Sequence, residues 1–161
     1  MNHDQVKNLI KNTLKRLGHK YNHNNAVKLL FWTGYVESRY EYIQQLNNGP
    51  AKSFWQFEPE SAVSCVKHYL KYRKVVREQC AKATMTDPSL WESENLNDWS
   101  WVLEHNMAVA IVMARLKYWR SPQPLPKTID EAGSMWKIAY NTSKGKGSVA
   151  KFKSLISNIN K

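Results

Sequence analysis

Acidic residues are scarce in this chain, and so are cysteines and long apolar runs. Two cysteines among 161 residues exclude a disulfide-dense secreted scaffold. Cys65 and Cys80 fall in one helix-like stretch. If that stretch is continuous, a helical rise of about 1.5 Å per residue holds them roughly 22 Å apart, far beyond the roughly 7 Å a bridge tolerates. Free thiols and a reducing compartment of synthesis follow. The longest apolar run, Met107 to Ala114, falls well short of the roughly 20 residues a bilayer span needs. Residues 1–17 interleave Lys7, Lys11, Lys15 and Arg16 with Leu9, Ile10, Leu14 and Leu17, an amphipathic helix rather than a signal-peptide core. The chain is therefore expected to be made in a cytoplasm without an export signal. No Gly-x-Ser-x-Gly elbow supports a nucleophilic serine, and Gly145-Lys146-Gly147-Ser148 lacks the upstream glycine and strand of a phosphate loop. His19 with His23, or Cys65 with His68, lack a third and fourth ligand, so neither a metal nor another cofactor is expected.

Thirteen Asp and Glu stand against twenty-four Lys and Arg, a net charge of +11, so the partner or its surroundings should be anionic. Nucleic acid, a membrane surface and bacterial cell wall all satisfy that condition. The apolar content of 42%, with seven Trp and eight Tyr, is ample for a packed core and excludes wholesale disorder. The length suits one domain.

Apolar periodicity is helical nearly throughout. Val6, Leu9, Ile10, Leu14 and Leu17 form a stripe ended by Gly18, and Asn24 or Asn25 caps a second helix running toward Glu37. Asn47-Asn48-Gly49-Pro50 breaks the pattern, and Ser53 to Pro59 reads as a short, aromatic, non-helical connector. A long basic helix is predicted from Glu60 to about Ala83, with Lys67, Lys71, Lys74 and Arg77 on its outer face, and an apolar one from about Trp99 to Trp119. Asp87-Pro88 marks a turn between them, and Pro122, Pro124 and Pro126 a stiff linker. Thr128 with Glu131 reads as a capping box opening a helix through Ala139; the polar run Thr142 to Gly147 follows, and Ser148 caps a last helix. The predicted architecture is all-α, or α with a minimal β element, in a single domain.

Among so few carboxylates Glu37 stands apart. It follows the apolar and aromatic segment Ala26 to Val36 and precedes the Asn/Gly/Pro break, so it falls near a helix C-terminus. The backbone dipole there and an apolar surround both oppose ionisation. A helical side chain leans over the positions three and four earlier, here the small Gly34 and Thr33, which leaves room for a ligand beside the carboxyl group.

Three segments in order, Glu37-Ser38, Ser53-Phe54-Trp55-Gln56 and Ala139-Tyr140-Asn141, give the chain a wider pattern. It resembles the lysozyme-like superfamily, most closely the soluble lytic transglycosylases and less closely the goose-type lysozymes. Their pattern is Glu-Ser on a helix end, Gly-Leu-Met-Gln about nineteen residues later, and Ala-Tyr-Asn near the C-terminus. Asn106 with Ala110, Ala114 and Leu116 looks like the buried helix between them. The chain departs from the pattern at Ser53, where the family has Gly, at the bulkier Trp55, and at Thr142-Ser143 in place of Ala-Gly.

The resemblance implies a lysozyme-like helical fold with a substrate cleft. It also implies cleavage of the β-1,4 bond between N-acetylmuramic acid and N-acetylglucosamine in bacterial peptidoglycan, with Glu37 as the general acid. Donation to the leaving oxygen requires a carboxyl group still protonated near neutrality. Phe54, Trp55 and Tyr140 are expected beside it, where aromatic faces stack on sugars; Ser38, Gln56 and Asn141 complete the substrate contacts, and Tyr140 is placed to hold Glu37 or the sugar. Transglycosylases need no second carboxylate, because the substrate's own C6 hydroxyl closes a 1,6-anhydro ring. Glu58 stands where goose-type lysozymes carry Asp and favours a water-using muramidase, while Glu58-Pro59-Glu60 also suits a helix start. Glu41 is a weaker third acid. A small, basic chain with no export signal fits a bacteriophage endolysin that reaches the wall through a holin-made lesion, or a virion-borne wall-drilling domain, acting as a monomer. Two other classes remain as alternatives: a cationic helical nucleic-acid binder, for which no recognition motif stands out, and an inactive sugar-binding relative.

Overall fold

The computed structural model describes residues 1–141 and 145–159, and within them the protein is all-α. The helices are α1 (His3–Leu17), α2 (Asn24–Ser38), α3 (Pro59–His68), α4 (Lys74–Thr84), α5 (Leu96–His105), α6 (Met107–Trp119), α7 (Ile129–Met135) and α8 (Val149–Ile159). Extended pairing among the described residues is limited to isolated antiparallel bridges, Gln44 with Lys52 and Lys52 with Phe57. These bridges fold the connector after α2 into a small loop over the end of that helix.

Helix α6 is the axis of the core. Every residue from Val109 to Leu116 is buried, as expected of a helix apolar on all sides, and α1, α2, α4 and α5 pack around it. Local signals set most helix starts. Asn2 Oδ1 accepts Gln5 N–H at 3.0 Å, Thr128 Oγ1 accepts Glu131 N–H at 3.2 Å and Ser148 Oγ accepts Lys151 N–H at 3.2 Å. The Thr128 box differs in one detail: the Glu131 carboxylate reaches past the cap to Lys127 N–H at 2.7 Å.

Two predicted helices are each divided. The basic helix expected from Glu60 to Ala83 is α3 and α4, separated by a 3₁₀ turn at Leu70–Tyr72, because Tyr69 and Arg73 leave helical geometry. The break turns Leu70 fully into the core. Arg77, expected on a solvated face, instead donates to the freed carbonyls of Leu70 at 2.6 Å and Lys71 at 2.9 Å. The break also removes the premise that a continuous helix separates Cys65 from Cys80. Both thiols are free and buried; burial pushes Cys65 up to about 11, and burial with Cys65 nearby raises Cys80 further.

The helix expected from Trp99 to Trp119 is divided at Asn106, whose backbone is extended. Its Oδ1 caps α6 at Val109 N–H, 3.1 Å away, and its Nδ2 donates to Thr84 O at 3.3 Å. Asn106→Ala removes both bonds, and a loss of about 1–2 kcal/mol is expected in urea unfolding. An unchanged midpoint would show that this junction needs no cap. The helix expected through Ala139 keeps α-geometry only to Met135 and continues as a π-helical turn, Trp136–Asn141. Thr142 and Ser143 lie outside the described residues.

Candidate active site

Glu37 is the penultimate residue of α2, and its half-buried carboxyl group opens on a cleft of about 720 Å³. Glu58, Gln56, Tyr140, Asn141 and Lys117 line the same cleft. A hollow of about 260 Å³ shares Glu58, Ser61 and Lys117 with it and extends toward Arg120. Another of about 230 Å³ shares Glu37, Tyr42 and Lys151 and extends toward Leu155. Glu37 thus sits partway along a groove, with space on either side.

Burial raises the Glu37 pKa to about 7, against the opposing pull of a hydrogen bond from Trp136 and the charges of Lys117 and Lys151. Trp136 Nε1–H donates to Glu37 Oε1 at 2.9 Å, and Tyr42 Oη–H donates to the Glu37 carbonyl at 2.8 Å. Lys117 is held by donation to Tyr140 O at 3.1 Å, with its ammonium 4.7 Å from the Tyr140 ring centroid. Burial lowers the Lys117 pKa, and both Glu37 and Glu58 favour its charged form. Lys117 thus shares the cleft with both carboxyl groups and feels the charge of each.

The space predicted over Gly34 is not open to a ligand, because Tyr40 fills it. Arg39 and Tyr40 both take left-handed backbone conformations, which reverse the chain and fold the Tyr40 ring back on α2. Its hydroxyl donates to Phe31 O at 2.7 Å, and a Cβ placed on Gly34 would lie 2.6 Å from that oxygen. Ser38 does not line the main cleft and borders only the smaller hollow beyond Glu37. It is 1% exposed, and its hydroxyl donates to Gly34 O and accepts Tyr40 N–H, both at 3.1 Å. Its place is at the turn beneath the acid.

The aromatic connector is divided by its backbone. Phe54 and Trp55, expected to face sugar, are 7% and 1% exposed. Phe54 packs edge-on against Tyr40, and Trp55 Nε1–H donates to Leu30 O at 2.8 Å. Both are core, drawn in by the apolar area they bury. Ser53 adopts φ 68°, the region that favours glycine. Here the Ser53 hydroxyl accepts Trp55 N–H at 3.1 Å and steadies the turn. Gln56 does line the cleft, its amide donating to Ser53 O at 2.8 Å. Tyr140 is 6% exposed; its ring borders the cleft, while its hydroxyl donates to Trp55 O at 2.7 Å and not to Glu37. Asn141 lines the cleft with Oδ1 engaged by Lys137 at 2.9 Å.

Glu58 occupies the N-cap position of α3 by its backbone, yet its side chain makes no capping hydrogen bond. The exposed side chain borders both the main cleft and the hollow beside it. Glu41 borders the smaller hollow beyond Glu37. Trp136, Lys117 and Lys151 are the site residues that sequence reasoning missed. Lys117 had a signal, as one of two cations, with Arg115, in the second half of an otherwise apolar helix. For Trp136, which meets Glu37 from 99 positions away, nothing local marked the pairing.

Replacing Trp136 by Phe removes the N–H that favours the Glu37 carboxylate, so its pKa should rise above about 7. The side-chain ¹³C titration of Glu37 checks this, and an unchanged midpoint would mean that the indole does not govern ionisation. Among the described residues, no group of three His, Cys, Asp or Glu is placed to hold a metal ion, and no helix is long and apolar enough to cross a membrane. No protein-family model, curated protein or solved structure matches the chain.

Proposed function

We propose that the chain is a glycosidase of bacterial peptidoglycan, a muramidase of the endolysin type, with Glu37 as general acid. One observation carries this reading: a carboxyl group that burial keeps protonated to about pH 7 lies partway along a groove bordered by polar side chains. Proton donation to a glycosidic oxygen needs that protonation state, and an acid poised near the working pH gives it up most effectively. Once the proton has left, the Trp136 N–H and the charges of Lys117 and Lys151 favour the new carboxylate. The same groups that restrain the pKa thus lower the cost of the step. The sugar contacts in this reading belong to Gln56, Tyr140 and Asn141, with Glu58 near the far side of the reacting bond. Ser38, Phe54 and Trp55 act beneath the surface by fixing the helix end and the connector.

A lytic transglycosylase uses the same acid without a second carboxylate. The uncapped side chain of Glu58 on the cleft border favours the water-using reaction. Neither reaction calls for a cofactor. The test is incubation of purified cell walls with the chain, followed by mass spectrometry of the soluble fragments. Muropeptides with reducing ends support the muramidase, and 1,6-anhydro ends support the transglycosylase. Walls bound without fragment release would mean an inactive sugar-binding relative. Untouched walls, together with salt-sensitive binding of DNA, would favour the nucleic-acid reading.

A further inference from the structure

A second cationic site lies away from the groove. Arg115, on α6, is 3% exposed. Its Nε–H donates to Tyr21 O at 3.1 Å, and its guanidinium carbon sits 5.3 Å from the Trp119 ring centroid. The ion pairs of the described residues include no carboxylate within 4.0 Å of it, and its terminal nitrogens donate to no described residue. Burial lowers its pKa only to about 10, so at neutral pH it holds a buried positive charge with no counter-ion among the described residues. Such a charge is costly unless something pairs with it.

Arg115 lines a cavity of about 280 Å³ that shares no lining residue with the groove. Lys20 and His23 line the same cavity, and no acidic side chain does. The Lys20 ammonium lies 5.5 Å from the Trp119 centroid, on the same indole that Arg115 faces. His23 Nδ1 accepts Asn25 N–H at 3.1 Å, which puts the ring proton on Nε2 and makes that nitrogen a donor. The acids of the adjoining hollow, Asp130 and Glu131, are engaged by Lys153 and by Lys127 N–H. Leu125 and Met135 give the cavity an apolar wall.

We propose that this cavity binds a phosphate group, with Arg115 as its buried anchor, Lys20 and His23 as further donors, and the apolar wall taking the organic part of a phosphate ester. A guanidinium offers its free N–H groups in a fork suited to two oxygens of one anion. A phosphate has the additional oxygens and charge to use an ammonium and an imidazole N–H as well. His23, which suits no metal site, thereby acquires a partner.

Titration of the full chain with sodium phosphate tests this, with chloride holding ionic strength constant and the Arg115 side-chain ¹⁵N and Trp119 indole resonances as readouts. Parallel titrations use sn-glycerol 3-phosphate and phosphatidylglycerol vesicles. Saturable shifts are expected with phosphate and stronger binding with glycerol phosphate; binding confined to the vesicles would identify a lipid headgroup as the source of the same chemistry. Arg115→Met should abolish the Trp119 response, and Lys20→Gln, an exposed position, should weaken binding about tenfold. Should Arg115→Met fail to fold, Lys20→Gln alone decides. No saturation by any probe, or unchanged affinity in Lys20→Gln, would overturn the proposal.

Discussion

Glu37→Gln is expected to lower wall clearing by about 10²–10⁴-fold and, in the same protein, to raise the melting temperature above neutral pH. The two effects share one cause. Glu37 titrates near 4.5 when unfolded and at about 7 in the folded chain. Between those values the folded protein holds a proton that the unfolded chain has released, so wild-type stability falls as pH rises. The loss amounts to about 3 kcal/mol and is complete once pH has passed the folded value. Gln keeps an oxygen for the Trp136 N–H and never ionises, so the variant escapes that loss. At this chain length the gap should be roughly 6–12 °C at pH 8, closing below about pH 4.5. Calorimetry across pH and turbidity of purified walls are the two measurements. Clearing at the wild-type rate would remove Glu37 from the mechanism. A melting gap that ignores pH would show that its carboxyl group is not held in the protonated form.

The features that mark Glu37 are local: an apolar helix before it and an Asn/Gly/Pro break after it. The features that tune it are not. Trp136 arrives from the π-helical turn after α7, and Lys117 from the end of α6; their approach to Glu37 is a property of the packing. The same division runs through the fold. Helix starts at Thr128 and Ser148 were readable because a cap and the amide it satisfies lie three residues apart. The interruptions at Tyr69–Arg73 and Asn106 were not, because each is fixed by a distant demand, Leu70 entering the core and Asn106 reaching Thr84. Phe54 and Trp55 show the limit of pattern reading in a connector. Without periodicity, nothing in the sequence says which aromatic face turns inward, and Leu30 O and Tyr40 decided it.

Glu58→Gln should separate the two glycosidase chemistries with little change in stability. The side chain is exposed and makes no capping bond, so its loss should move the unfolding free energy by no more than about 0.5 kcal/mol. A fall in activity could not then be ascribed to misfolding. If Glu58 orients water, removing the carboxylate leaves the protonated Glu37 able to donate to the leaving oxygen but provides no base for the attacking water. Release of fragments with reducing ends should drop by about 10²-fold or more. If instead the substrate's C6 hydroxyl attacks, the variant should release 1,6-anhydro fragments at nearly the wild-type rate. Lys117 makes the comparison sharper. Its charged form is favoured by both Glu37 and Glu58, so the variant leaves one carboxyl group facing the ammonium. Lys117→Met in the Glu58→Gln background removes that remaining charge, and Glu37, relieved of a cation that lowers its pKa, should hold its proton to higher pH. The alkaline limb of residual activity should move upward accordingly. Unchanged reducing-end release in Glu58→Gln would exclude this carboxylate as the base and leave the water, if water is used, to be oriented from elsewhere in the groove.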